Sequence, residues 1–187
     1  MIVKRKKKII AIGAGHNNEH PGVCIEYEDT LIREYDVAKV LEKKVTNILE
    51  NYGYVVYNFS GTLQQKVSQI NKVKPVCAVE LHFNCCKAHG GEVLHYPSDK
   101  STKLAYDIAK YLRPYVSKWR GIKIGYYRCD PNKPILYFLR KTVCAAVIIE
   151  PAFLDSIDVD LPLIFDDKWF NLIAKAIAQG VYKYVGK

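Results

Sequence analysis

Strand-like and helix-like hydrophobic patterns alternate along this chain from end to end, and that alternation restricts its fold more than any other feature. Short apolar runs occur at Lys8 to Gly13, Tyr54 to Phe59, Val76 to His82, Gly91 to Tyr96, Ile135 to Leu139 and Ala145 to Glu150. Each is shorter than an ordinary helix and is read as a strand. Between them, Val37, Val40, Leu41, Val45, Ile48 and Leu49 recur at three- and four-residue steps, which predicts a helix that stops before Gly53. Leu63, Val67 and Ile70 mark a shorter helix; Leu104, Ile108 and Leu112 mark a third, ended by Pro114; Phe170, Ile173, Ala174, Ile177 and Val181 mark a fourth. Strands separated by helices predict an α/β fold, with a twisted, mostly parallel sheet of about six strands and helices on both faces. No repeat, linker or change of composition divides the chain, so residues 1–187 are expected to form one domain.

At 187 residues and 49% hydrophobic content the chain can bury a core without staples, which excludes a disordered or collagen-like class. Its 28 Lys+Arg against 19 Asp+Glu leave a formal charge of 28 − 19 = +9. Nucleic acid, an acidic membrane and an anionic wall polymer all match that sign. The basic start, Lys4 to Lys8, is followed by an apolar run too short for a secretory signal, and no stretch approaches a membrane span. The chain is therefore expected to be made in the cytoplasm, with Cys24, Cys77, Cys85, Cys86, Cys129 and Cys144 as reduced thiols.

In such a sheet, chemistry gathers where the strands end and the loops converge. His16 lies just after the first run, His82 closes the third, Glu150 closes the last, and Glu34 opens the long helix. Two histidines and a carboxylate from separate elements, with a position left for water, match a catalytic zinc site, and a further glutamate can serve as base. Each residue also has an ordinary role: a hydrogen-bonded structural histidine, or a first-turn carboxylate on the helix dipole for Glu34. Glu150 is harder to explain away, because Ala145 to Ile149 carry its charge to the end of a buried strand.

Two motifs compete for the first loop. Gly13-Ala14-Gly15 opens like a dinucleotide fingerprint, but Asn18 stands where the third glycine belongs and Pro21-Gly22 interrupts the helix that should follow. His16-Asn17-Asn18-Glu19-His20 matches H-x-x-E-H, yet its turn-forming residues oppose the helix that motif needs. His16 is kept as a candidate, and His20 is expected to face solvent.

With these residues placed, the chain resembles the zinc-dependent N-acetylmuramoyl-L-alanine amidases, a family that includes sporulation and cell-separation amidases and phage endolysins. Gly15-His16 with Pro21-Gly22 resembles the first zinc-histidine loop, and Glu34 before Val37-Ala38-Lys39-Val40-Leu41 resembles the zinc glutamate. Val79-Glu80-Leu81-His82-Phe83-Asn84 is similar to the strand with the second zinc histidine, and Gly90-Gly91-Glu92-Val93 to the strand after it. Phe138-Leu139-Arg140-Lys141 through Glu150-Pro151-Ala152-Phe153-Leu154 resembles the closing segment with the catalytic glutamate. Gly13 and Ala14 replace the family's usual acidic residue and proline, and Glu80 replaces a serine.

The resemblance implies one Zn2+ per chain held by His16, Glu34 and His82, with Glu150 as catalytic base. It implies a peptidoglycan substrate, cleaved between N-acetylmuramic acid and L-alanine after the enzyme's release to the bacterial wall. Glu80 shares the strand face of His82 and is either a partner of that ligand or a pH-sensitive neighbour of the site. Asn84 either binds substrate or shapes its loop, and Phe83 and Cys85 are expected to narrow the cleft. No separate wall-binding domain and no nucleic-acid partner are expected, whereas an anionic wall polymer suits the charge. Two other readings remain open: zinc chemistry on another peptide bond, and a non-catalytic basic module using the N-terminal lysines, Lys43, Lys44, Lys110, Lys118 and Arg120.

Overall fold

The computed structural model describes residues 7–127 and 130–186; Lys4, Arg5, Lys6 and Cys129 lie outside the described residues. In chain order the elements are β1 (Ile9–Ala14), β2 (Cys24–Tyr27), β3 (Thr30–Arg33), α1 (Glu34–Asn51), β4 (Val55–Asn58), α2 (Leu63–Val73) and β5 (Cys77–Leu81). There follow β6 (Gly91–His95), α3 (Asp99–Leu112), β7 (Trp119–Ile124), α4 (Tyr137–Lys141), β8 (Ala145–Glu150), α5 (Leu161–Phe165) and α6 (Asp167–Val185). Six strands form one sheet in the order β4-β1-β5-β8-β6-β7, and β2 and β3 form a separate hairpin. All pairings in the large sheet are parallel except β6 with β8.

The two-residue period of the strands divides the core between two faces. Ile10, Ile12, Cys77, Val79, Leu81, Val147 and Ile149 point to one side, where they pack with residues of α1, α3 and α6. Ala11, Ala78, Ala146 and Ile148 point to the other, against Val67 and Ile70 of α2 and Phe138 and Leu139 of α4. β1, β5 and β8 end side by side, and the reversed β6 begins there, so Glu92 pairs across from Glu150.

The expected strand at Ile135 to Leu139 is not one. Only Ile135 makes a bridge, to Tyr126, and Tyr137–Lys141 form the short helix α4 with Phe138 and Leu139 buried. A brief apolar run bears no mark that separates a strand from one buried helical turn. The sixth strand is β7, half-buried along its whole length and without alternation, with a register shift in its pairing to β6. Val40, counted in the apolar stripe of α1, is 51% exposed. Among the described residues Cys24, Cys77, Cys85, Cys86 and Cys144 carry free thiols. No helix among them is long and apolar enough to cross a membrane.

Candidate active site

His16, Glu34 and His82 come from three elements and meet at one point. Glu34 is the first residue of α1, and that helix start is tied to the loop before it: the Glu34 and Tyr35 amides donate to the Val23 and Pro21 carbonyls. Backbone partners thus replace a side-chain cap. The Glu34 carboxylate is buried and accepts from the Val23 amide at 3.0 Å and the Phe83 amide at 3.1 Å. One of its oxygens lies 3.1 Å from His16 Nε2 and the other 3.0 Å from His82 Nδ1.

Two glycines permit this approach. A Cβ on Gly15 would stand 2.2 Å from the His82 ring, and one on Gly22 would stand 2.3 Å from a Glu34 oxygen. Gly22 also has φ +78°, a left-handed conformation that favours glycine. His16 itself has φ 62°, a strained value for a side-chain-bearing residue, of the sort that persists at functional sites.

Single donor atoms of His16, Glu34 and His82 lie within 4.8 Å of one another, so the three can hold a metal ion. They are the only such group of histidine, cysteine and acidic side chains among the described residues. A two-histidine, one-carboxylate donor set suits zinc with a position left open. Burial alone would raise the Glu34 carboxyl, but hydrogen bonds from His16 and His82, and their charge, hold it well below the usual carboxylate range. Burial would likewise lower His82, yet its contacts with Glu34 and Glu80 push it up to about 10.

Glu150 is the last residue of β8, beside His82 at the end of β5: the His82 amide donates to the Ile149 carbonyl at 2.9 Å. Nothing among the described residues donates a hydrogen bond to its carboxylate. Burial pushes this carboxyl up to about 7; Glu92 and Glu34 raise it while His82 and Lys123 oppose them. A half-buried carboxyl poised near neutrality is suited to proton transfer. The structure therefore brings Glu150 to the edge of the histidine cluster without locking it.

The remaining candidates divide. Glu80 reaches its same-face neighbour, with Oε2 3.3 Å from His82 Nε2. The Asn84 amide turns to Glu92 at 3.3 Å, while its oxygen accepts from the Cys85 amide at 2.9 Å. Phe83 does not narrow the cleft, because it is buried in the core and stacks on Phe170. His20 is exposed. Beside the cluster runs a groove of about 440 Å³ between the His16–His20 loop and Gly61 to Gln64, with Glu80, His82 and Lys66 also lining it.

Sequence patterns missed several buried ions around this site, Lys66, Glu92 and Asp160 among them. Lys66 is almost wholly buried in α2 and bonds Glu80. Glu92 is buried and holds Arg120 Nε at 3.0 Å and Lys123 Nζ at 2.6 Å. Asp160 accepts from the Gly90 and Phe153 amides, each at 2.8 Å, and from the Ser117 hydroxyl. Arg120 and Lys44, named above for the alternative basic module, are ion-paired, Arg120 to Glu92 and Lys44 to Asp167 at 2.7 Å.

Residues 10–183 match the family model for N-acetylmuramoyl-L-alanine amidase. The chain belongs to that amidase family. A 38.4 kDa protein of Clostridium perfringens is 29% identical over 192 residues, covering 95% of this amidase-family chain and 52% of its own length. The chain thus spans about half the length of that curated relative. Among solved structures, the catalytic domain of the amidase CwlV from Bacillus (Paenibacillus) polymyxa var. colistinus matches with TM-score 0.82 at 23% identity, covering 95% of this chain and 98% of that one. The amidase AmiC2 of Nostoc punctiforme matches with TM-score 0.81 at 25% identity, covering 97% and 99%. Both agree with the α/β sheet described above.

Proposed function

We propose that this amidase-family chain is a peptidoglycan hydrolase that cleaves the amide between N-acetylmuramic acid and L-alanine, using zinc held by His16, Glu34 and His82. The observation that carries the reading is the convergence of those three side chains beside Glu150, whose carboxyl is raised by burial to about 7, in a chain that matches the N-acetylmuramoyl-L-alanine amidase family. The names of CwlV and AmiC2, both N-acetylmuramoyl-L-alanine amidases, support the same bond.

Bound there, zinc would polarise the scissile carbonyl and acidify a water molecule. Glu34 is aimed by the Val23 and Phe83 amides, so its position is fixed before the ion arrives. Glu150 takes the proton from the attacking water and returns it to the nitrogen of the leaving L-alanine. Its carboxylate can do both because no hydrogen bond among the described residues competes for its oxygens. The adjoining groove, lined by Asn17, Thr62 and Gln64, offers polar contacts to the glycan or the peptide stem. The end of a buried strand keeps the reacting groups on a rigid support.

Mass spectrometry of products from defined muropeptides, with and without a chelator, tests the proposal. A stem peptide with a free L-alanine amino terminus, formed only without chelator, is expected. A new amino terminus at any other residue, or release that ignores the chelator, would overturn it.

A further inference from the structure

Lys66 is a nearly completely buried lysine that the proposed reaction does not use. Its side chain is 3% exposed and that of its partner Glu80 is 4% exposed. It sits one turn into α2, whose start is fixed by a reciprocal cap: Thr62 Oγ1 accepts from the Gln65 amide and Gln65 Oε1 from the Thr62 amide. An ammonium taken out of water costs several kcal/mol unless it is well bonded. Two acceptors compensate it here, and they belong to the two segments that carry the histidines.

One acceptor is the Ala14 carbonyl, 2.7 Å from Nζ, two residues before His16. The amide of the same residue donates to buried Glu42 at 2.9 Å, so the end of β1 is pinned from both helical layers. The other acceptor is Glu80 Oε1 at 3.0 Å. Glu80 Oε2 lies 3.3 Å from His82 Nε2, while His82 Nδ1 faces Glu34. A carboxylate held on one oxygen by Lys66 has its other oxygen free to accept from Nε2–H. That contact leaves the Nδ1 lone pair for a metal ion, the arrangement by which a carboxylate orients a ligating imidazole.

We propose that Lys66 is a positioning residue that clamps both histidine-bearing segments, directly at Ala14 and through Glu80 at His82, and so sets the affinity of the centre for zinc. The proposal rests on the metal-centre reading above. Stability alone does not account for the pair, since apolar residues of similar volume commonly serve a core as well as a buried ion pair does. The placement of one bond on each histidine segment is what a positioning role requires.

The test uses the full chain and zinc ion, with dissociation constants from competition against a chromogenic chelator. Lys66→Met and Glu80→Gln are each expected to weaken zinc binding about 10- to 100-fold, the range for partners of metal ligands. The double variant Lys66→Met/Glu80→Gln removes both charges together and leaves no unpaired buried ion, so it is expected to fold even if Lys66→Met does not. It is expected to bind no more weakly than the worse single variant, because the two residues act as one unit. A ring ¹H–¹⁵N spectrum of the zinc-loaded protein supplies a second readout: the His82 Nε2 proton, slow to exchange in the parent, exchanges fast in the double variant. Parent-like zinc affinity and an unchanged ring spectrum in the double variant would overturn the clamp alone. A parent chain that takes up no zinc would overturn the metal centre and the clamp with it.

Discussion

Two carboxylates beside the histidine cluster, Glu34 and Glu150, are treated in opposite ways. Glu34, at the start of α1, is aimed by two backbone amides, and against its burial the His16 and His82 imidazoles hold it ionised far below the usual range. Glu150, at the end of β8, receives no hydrogen bond among the described residues, and burial beside Glu92 lifts it to about 7. The first environment suits a group that must stay charged and still, and the second suits one that must exchange a proton. The contrast arises from chain direction. Glu34 begins a helix and meets the ends of β1 and β5, whereas Glu150 faces the start of the antiparallel β6, which brings a like charge opposite it.

The largest effects should come from the held side. On the proposed function, His82→Ala removes a ligand, and both zinc content and product formation should fall to background, read by metal analysis and muropeptide mass spectrometry. On the other side, Glu150→Gln should lower kcat about 10²- to 10⁴-fold, the usual contribution of a general acid–base, while zinc content stays at one per chain. A Glu150→Gln protein that lost its zinc would place Glu150 among the ligands and erase the distinction between the two sides.

Stability of the chelator-treated protein should separate the carboxylates by sign. The folded-state pKa of Glu150, about 7, lies above the ordinary 4.5, so its ionisation costs folding stability as pH rises between those values. Glu150→Gln should therefore be more stable than the parent at pH 8 by about 2–3 kcal/mol, with the gain vanishing toward pH 4.5. Glu34 lies on the other side of its ordinary value, so its contribution is present above pH 4.5 and is lost as pH falls through the folded value. Glu34→Gln should cost about 1–3 kcal/mol at pH 8. Urea titrations at two pH values read both, and a common sign would abolish the contrast.

Sequence patterns exposed the framework and hid its ion pairs, for physical reasons that differ between residues. His16, Glu34, His82 and Glu150 could be picked out because each sits where a hydrophobic run or stripe begins or ends, and the sheet brings such ends together. The same-face relation of Glu80 and His82 followed from the strand period, and their side chains do touch. Lys66 stayed hidden because Leu63–Val73 reads as an amphipathic helix in which a lysine belongs to water, while Leu63 is 40% exposed. Its burial depends on Glu80 and the Ala14 carbonyl, partners from distant strands. β7 escaped notice because Gly121, at φ +107°, breaks a stretch that has no alternation of burial.

The smallest expected effect probes what sets Glu150 apart. Glu92 holds Lys123 at 2.6 Å and Arg120 at 3.0 Å, and Glu150 feels both the like charge of Glu92 and the Lys123 cation that partly offsets it. Replacing Glu92 by glutamine removes the repulsion and leaves the two cations less compensated; both changes favour ionised Glu150. The acidic limb of kcat/KM should then move to lower pH. Lys123→Met removes a stabilising cation and should move the limb to higher pH, because more Glu150 stays protonated at any given pH. A zinc ion nearby lowers both limbs together but not their order, since its charge is common to the two variants. If both variants shifted the limb in the same direction, the titrating group would not be Glu150, and its separation from the held side would lose its electrostatic basis.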